Sequence, residues 1–146
     1  MEMVKRHPEE WFFLQEFHVD KVFSTIQRAD YLLLYYIKVE QEEHPGGKVY
    51  LADLAAAMGI RVTELSKGIE KLQDNGFVAW KTDREVGRTY VELSSKAVEL
   101  MAEEHALMQR CYQRLRTELG EEELRRTVDT MQRATAILKE EREKQN

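Results

Sequence analysis

Residues 62–100, VTELSKGIEKLQDNGFVAWKTDREVGRTYVELSSKAVEL, join a helical pattern, a hairpin pattern and the start of another helix without a spacer. The first apolar set has helical spacing and stops at Gly76, a residue type favoured at helix ends. Two runs of β-type residues, 77–80 and 89–93, then flank a charged loop and predict a hairpin. An isolated hairpin is barely stable in water, so it must lie against neighbouring helices. The residues predicted to face inwards from the helix are Val62, Leu65, Ile69 and Leu72.

A second short helix is predicted immediately upstream. The segment LADLAAAMGI, residues 51–60, is rich in helix-forming residues and contains Gly59, a residue type favoured at a left-handed helix terminus. Val49 and Tyr50 before it predict a brief strand. Two short helices joined by a tight glycine turn form a helix-turn-helix pattern, and the hairpin that follows supplies a wing.

Longer helices are predicted on both sides of this core. Upstream, residues 8–17 predict a short aromatic-rich helix, and residues 24–43 predict a second helix that ends at HPGG, residues 44–47. Ser24 or Thr25 is the expected N-cap of the second helix. The residues expected on its inner face are Ala29, Leu32, Leu33, Tyr36 and Ile37.

Downstream, Ser94 or Ser95 should cap a long helix that runs to Leu119, where Gly120 breaks it. The last helix carries a seam at alternating spacings of four and three, as in a coiled coil, with one polar member. In a chain this small, a partner subunit is the simplest cover for two such helices. The predicted fold class is therefore mainly α with a small β-hairpin wing, an α+β fold. The seam residues are Leu124, Val128, Met131, Thr135 and Leu138.

Composition restricts the class of protein. A chain of 146 residues is long enough to bury one sizeable core, and its single cysteine, Cys111, excludes an internal disulfide. The longest apolar run, residues 31–37, is far shorter than the roughly 20 residues needed to cross a bilayer. The N-terminus has charges where a signal peptide has an apolar core. We therefore expect a single soluble, cytoplasmic domain, residues 1–146, with no membrane partner.

The net charge of −5 argues mildly against nucleic acid, but it is unevenly distributed. Residues 1–60 hold six Lys/Arg against ten Asp/Glu, residues 61–90 six against five, and residues 91–146 ten against twelve. The segment that contains the hairpin is thus the least acidic. Its cations have two interpretations, namely the solvated surface of an ordinary helix and loop or contacts to phosphates.

The order of these segments resembles the MarR family of bacterial winged-helix transcription regulators. The resemblance rests on LADLAAAMGI at 51–60, LSKGIEKLQDNGFV at 65–78 and a wing with Asp and Arg that ends in VELSSKAVEL at 91–100. Together and in this order the motifs are fairly specific. They cover residues 25–100 by pattern, and the remainder of the chain resembles the family by architecture.

The resemblance implies a winged helix-turn-helix core, residues 25–93, between helical dimerisation regions at residues 1–24 and 94–146. A homodimer would bind pseudo-palindromic double-stranded DNA, with the recognition helices in major grooves and each wing at a minor groove. Arg84 and Arg88 are alternatives for the minor-groove residue. The implied DNA-binding residues are Arg61, Thr63, Glu64, Ser66, Lys67, Lys71, Lys81, Arg84 and Arg88.

The alternative function is a winged-helix protein–protein interaction module that does not bind DNA. Glu64 and Asp74 favour this interpretation because carboxylates repel phosphate. Trp80 also favours it, since the family often has an arginine at this place in the wing. A helix or hairpin of this module would then contact a protein partner.

Many members of the family are released from DNA by small aromatic ligands, so the resemblance also implies a small-molecule effector. Ordinary core is the competing interpretation, because an aromatic stripe on an amphipathic helix needs no ligand. The sequence has no nucleotide-binding glycine loop, no nucleophile elbow and no metal-ligand spacing among its four histidines. We therefore expect no enzyme activity, no cofactor and no metal. The residues assigned to the effector site are Trp11, Phe12, Tyr35, Met108 and Cys111.

Overall fold

The computed structural model describes residues 6–16 and 26–144, which form two compact units. The first unit consists of residues 6–7 and 26–104, and the second consists of residues 8–16 and 105–144. No helix in these ranges is both long and apolar enough to cross a membrane. In chain order the elements are α1 (Pro8–Trp11), a π-helical turn (Phe12–Glu16), α2 (Arg28–Glu43), β1 (Val49–Tyr50), α3 (Leu51–Met58), α4 (Val62–Asp74), β2 (Val78–Asp83), β3 (Arg88–Leu93), α5 (Ser95–Leu119) and α6 (Glu121–Glu143).

The turn between α3 and α4 has the predicted helix-turn-helix form. Gly59 has φ 69° and ψ 30°, a left-handed conformation that glycine adopts without strain. Its N–H donates to the Ala56 carbonyl at 3.2 Å, and the Ile60 N–H donates to the Ala55 carbonyl at 3.1 Å. These bonds satisfy carbonyls at the end of α3. Arg61 is then extended, and α4 begins at the next residue.

The inner face of α4 is buried in the first unit. Leu65, Ile69 and Leu72 are almost fully inaccessible, as their helical spacing predicts. Val62 was also predicted to face inwards, and this prediction was wrong, because its side chain is 45% exposed. Residues 61–64 are all exposed, so the burial of α4 begins only at its fourth residue, Leu65.

Burial along α2 is more extensive than a single stripe. The helix begins at Arg28 with Gln27 as its N-cap residue, and the expected caps Ser24 and Thr25 lie outside the described residues. Ala29 is exposed and Leu32 is half-buried, so the predicted inner face was only partly correct. Buried positions lie on most sides of the helix, which is typical of an element covered all round. They are Tyr31, Leu33, Leu34, Tyr35, Tyr36, Ile37 and Val39.

The wing is a regular hairpin at the edge of a three-stranded antiparallel sheet with the order β1-β3-β2. β2 and β3 pair without interruption from Val78 opposite Leu93 to Asp83 opposite Arg88. Residues 84–87 form the turn, where Gly87 has φ 67° and its N–H donates to the Asp83 carbonyl at 2.7 Å. The predicted hairpin is confirmed, and its register contains no bulge.

Ser94 joins the wing to α5 as the predicted N-cap. Its Oγ accepts a hydrogen bond from the Ala97 N–H at 3.2 Å and donates to the Gly76 carbonyl at 2.6 Å. The same side chain therefore caps α5 and holds the segment that follows α4. Gly76 has φ 80°, which explains the glycine at this helix stop.

The second unit contains α1, the C-terminal part of α5 and α6. Phe12 of the π-helical turn is buried, and its ring meets that of Tyr112 edge-on, with the centroids 5.2 Å apart. The helix predicted for residues 8–17 is confirmed through Glu16, with a π-helical second half, and Phe17 lies outside the described residues.

The predicted seam of α6 is covered at one end and exposed at the other. The helix follows Gly120, which has φ 85° and ends α5 as predicted. Leu124 in the first turn of α6 is buried, whereas Leu138 and its neighbour Ile137 are 70% and 64% exposed. Large apolar side chains in water are informative when they are adjacent, and these two form an apolar surface near the C-terminal end of α6.

Gly68 lies inside α4, where alanine would favour the helix by about 1 kcal/mol. A Cβ at this position would lie 2.9 Å from Cδ2 of the buried Leu33 on α2. We expect Gly68→Ala to lower the free energy of unfolding by about 1 kcal/mol, because overpacking costs about 1–3 kcal/mol and exceeds the gain in helix propensity. Urea denaturation measures this change.

The matched background is Leu33→Ala, which removes the clashing methyl group. There Gly68→Ala should raise the free energy of unfolding by about 1 kcal/mol, since only the propensity term remains. An identical effect of Gly68→Ala in both backgrounds would show that this close approach does not limit residue 68.

Candidate nucleic-acid interface

The outer face of α4 is the first part of the candidate interface. Because Leu65, Ile69 and Leu72 fix one face inwards, Thr63 and Lys67 lie on the opposite, exposed side. Ser66, also assigned to DNA, is half-buried on the flank. The exposed side belongs to the N-terminal half of α4, the part of a recognition helix that contacts base edges in helix-turn-helix proteins.

Arg61 and Glu64 form an ion pair across the start of α4. The Arg61 Nε atom lies 3.3 Å from Glu64 Oε1, and both side chains are largely exposed. Exposed pairs of this kind contribute little to stability. Glu64, the carboxylate that disfavours phosphate, is thus neutralised within the same helical turn.

Lys67 and Lys71 have different environments although they are one turn apart. The Lys71 Nζ atom lies 3.1 Å from Asp30 Oδ2 and donates to Gln27 Oε1 at 3.2 Å, so it is held against the start of α2. Lys67 is exposed, and no acidic side chain among the described residues lies within 4.0 Å of its ammonium group. The free cation on α4 is therefore Lys67.

Asp83 at the end of β2 is the centre of a polar cluster at the turn end of the wing. Its Oδ2 accepts hydrogen bonds from the Tyr50 hydroxyl at 2.8 Å and the Lys48 Nζ at 3.0 Å, and its Oδ1 accepts from the Glu85 N–H at 3.1 Å. The side chain is buried, and the donated bonds from Tyr50 and then Lys48 lower its pKa. The cluster ties the start of the wing turn to Tyr50 of β1 and to Lys48 beside it.

Arg88 is held beside this cluster. Its guanidinium lies 4.1 Å from the centroid of the Tyr50 ring and 3.3 Å from Asp53 Oδ1 on α3. Lys81, on the neighbouring strand, is likewise paired, because its Nζ lies 2.8 Å from Glu92 Oε2 across the hairpin. The hydrogen bond from Lys81 to Glu92 raises the pKa of Lys81, so this ammonium stays protonated.

Arg84 occupies the turn of the wing and is exposed. In the part of the chain that the structure covers, no carboxylate lies within ion-pair distance of its guanidinium. The two alternatives for the minor-groove residue therefore differ physically, since Arg88 has a partner ring and a partner carboxylate while Arg84 has neither. Of the six cations assigned to DNA, Lys67 and Arg84 are the two with no acidic partner among residues 6–16 and 26–144.

Several of these partners carried no signal in the sequence. Lys48, Tyr50 and Asp53 lie 33 to 35 residues before their partners Asp83 and Arg88, and nothing in their spacing indicates that β1 lies beside the wing. Asp30 is equally remote from Lys71. The pairing of β1 with β3, in which Val49 lies opposite Val91, brings the segment around Tyr50 beside the wing.

The predicted effector residues are divided between the two units. Tyr35 is buried in the first unit, whereas Trp11, Phe12, Met108 and Cys111 belong to the second, so neither unit contains the predicted set as a whole. The second unit has an open cavity of about 640 Å³ that includes Phe12. Its other lining residues are Tyr112, Arg116, Glu121, Leu124, Arg125, Val128, Asp129 and Gln132.

Solved structures with the same fold include MarR and MepR proteins. A mutant of E. coli MarR complexed with operator DNA is 16% identical, with 90% of this chain and 88% of that chain covered and a TM-score of 0.58. S. aureus MepR in a MepR–DNA complex is 18% identical, with 77% and 82% covered and a TM-score of 0.57. The heme sensor protein PefR in complex with heme and carbon monoxide is 16% identical, with 73% and 70% covered and a TM-score of 0.57.

No protein-family model and no curated protein sequence matches the chain. At such low identity the structural likeness establishes the fold alone. The chain therefore has the winged helix-turn-helix fold of MarR-type regulators, as the sequence predicts.

The Asp83 cluster at the turn end of the wing predicts a pH-dependent stability. A carboxyl group whose pKa is lowered by folding stabilises the protein above its unfolded pKa, near 3.8, and loses this effect as pH falls through the lower folded value. Asp83→Asn should therefore be less stable than the wild type at pH 6, with a difference that shrinks below about pH 4. Urea denaturation between pH 3 and pH 7 measures it.

Glu85→Gln is the matched control in the same turn. Glu85 contacts Asp83 through its backbone N–H, and the substitution preserves this bond. The difference in free energy of unfolding between Glu85→Gln and the wild type should not show the pH dependence expected for Asp83→Asn. A difference for Asp83→Asn that stays constant down to pH 3 would contradict the role given to this carboxylate.

Proposed function

We propose that the chain is a MarR-type transcriptional regulator that binds pseudo-palindromic double-stranded DNA as a homodimer. The observation that carries the proposal is Lys67, which has no ion-pair partner in the described part of the chain and lies on the exposed face of the helix-turn-helix recognition element. Exposed Arg84 in the wing turn supports it, because a second cation then stands on the other element that a winged helix offers to DNA.

Two further observations support the proposal. The similar structures include a MarR mutant complexed with operator DNA and a MepR–DNA complex. The exposed pair Ile137 and Leu138 on α6 supports a second copy as partner, since burying apolar surface drives association. In a two-fold dimer the half-site centres would be about one helical turn of DNA apart.

The interaction module without DNA binding is the competing function. It is favoured by the net charge of −5 and by the carboxylates that already pair with Arg61, Lys71, Lys81 and Arg88. The two functions differ in how binding responds to salt. Phosphate contacts release counterions, whereas a mainly apolar protein interface responds weakly.

The salt dependence has an expected size. Two unpaired cations per protomer give four per dimer, so log Kobs should fall with log salt at a slope of about −4. Engagement of all six assigned cations in each protomer would give a slope of roughly −11. Fluorescence anisotropy, with duplexes selected from random-sequence DNA by the purified protein, measures the slope. Absence of DNA binding at 50 mM salt would overturn the proposal in favour of the interaction module.

Lys67→Gln and Lys71→Gln form a matched pair that tests which cations contact phosphate. Lys67→Gln should make the slope less steep by about 2 per dimer, because one phosphate contact is lost in each protomer. Lys71→Gln should leave the slope unchanged, since Asp30 already neutralises that ammonium. Anisotropy titrations between 50 and 300 mM salt give both slopes. The reverse outcome would exclude the proposed docking of α4.

The remaining parts of the proposal follow from this function. A regulator that binds DNA reversibly has no catalytic role and acts in the cytoplasm, where bacterial DNA is found. The dimer would have one conformation with high affinity for DNA and one with low affinity. A small-molecule effector would act by binding one of these conformations more tightly than the other. The candidate site for it in the second unit is the cavity lined by Phe12, Tyr112 and Arg125, among others.

A further inference from the structure

Val62 is an exposed apolar side chain at the start of α4. It shares helical spacing with Leu65, Ile69 and Leu72, which are buried to within 1% of their surface, yet Val62 is 45% exposed. Val62 is thus not part of the buried stripe of α4, and as a β-branched residue it is a weaker helix former than alanine. The apolar surface of Val62 is therefore available for contact with another molecule.

The neighbours of Val62 are polar and point to a mixed contact surface. Arg61 and Glu64, which precede and follow it in the sequence, pair with each other, and Thr63 beside it is exposed. A purely apolar partner would leave these charges unsolvated, which is unfavourable. A partner that presents hydrogen-bonding groups around one small apolar group would contact both the polar side chains of this turn and Val62.

A base-pair edge in the major groove is such a partner. Each edge shows hydrogen-bond donors and acceptors, and its apolar group is the C5-methyl of thymine. The first turn of a recognition helix is the part that reaches these edges. We propose that Val62 contacts the methyl group of a thymine in each half-site and so makes this chain prefer an A·T pair there.

This inference rests on the proposed DNA-binding function, and it assigns to Val62 a specificity that the phosphate contacts do not supply. It does not depend on which cations contact phosphate. It also differs from hydrogen-bond readout, because the thymine methyl can be removed without changing any donor or acceptor of the base. Uracil is thymine without this methyl group.

The test is a cycle that combines one protein substitution with one DNA substitution. Duplexes selected with the wild type are prepared with each thymine replaced in turn by uracil. We expect one thymine per half-site to be sensitive, with about a fourfold loss of affinity, the factor for exposing one methyl-sized group. With Val62→Ala the same replacement should change affinity by less than about twofold.

Two other exposed valines of the first unit provide matched controls. Val86 lies in the wing turn and is 57% exposed, and Val98 lies on α5 and is 55% exposed. Val86→Ala should retain the fourfold effect of uracil, because a wing in the minor groove meets no thymine methyl, and Val98→Ala should retain it because Val98 lies on neither α4 nor the wing. Thr63→Ser, which removes the methyl of the neighbouring residue and keeps its hydroxyl, should retain it as well.

The outcomes separate this inference from the function on which it rests. Salt-dependent DNA binding without any uracil-sensitive thymine would overturn the role of Val62 and leave the proposed function intact. Full uracil sensitivity in Val62→Ala, or its loss in Thr63→Ser, would also overturn that role. No binding of selected or random duplexes at low salt would overturn both. An unchanged salt slope for Val62→Ala would show that this variant still docks in the same way.

Discussion

The burial of one face of α4 is the constraint on which the candidate interface depends. Leu65, Ile69 and Leu72 are inaccessible, and Gly68 lets α4 approach Leu33 of α2 more closely than any larger residue would. Burial of one stripe of an α-helix sets the orientation of the helix about its axis. The same contacts therefore determine which side of α4 is exposed. Thr63 and Lys67 are outside because three apolar residues are inside.

Electrostatic pairing then divides the cations of this surface into two groups. Arg61, Lys71, Lys81 and Arg88 have carboxylate partners within the first unit, and Arg88 in addition stacks on Tyr50. Lys67 and Arg84 have none among the residues described. A protein with a net charge of −5 can thus offer a small number of free cations at chosen positions, which favours selective over indiscriminate binding to polyanions.

Much of the fold was predictable because its signals are local. Gly59, Gly76 and Gly120 end helices where the sequence predicts, and Ser94 caps α5. The environment of the site was less predictable, because it depends on contacts between remote segments. No local pattern shows that Asp30 holds Lys71 or that Tyr50 lies beneath Arg88. Val62 fits the periodicity of the core, but periodicity does not show where the covering residues stop.

Covalent labelling of lysines tests most directly whether the outer face of α4 meets the DNA. An amine-reactive reagent should label Lys67 quickly in the free protein and Lys71 slowly, because Asp30 and Gln27 hold the Lys71 ammonium. With a saturating amount of a selected duplex, mass spectrometry should show strongly reduced labelling of Lys67 and little change at Lys71. Labelling of Lys67 that is as fast with bound DNA as without it would contradict the account.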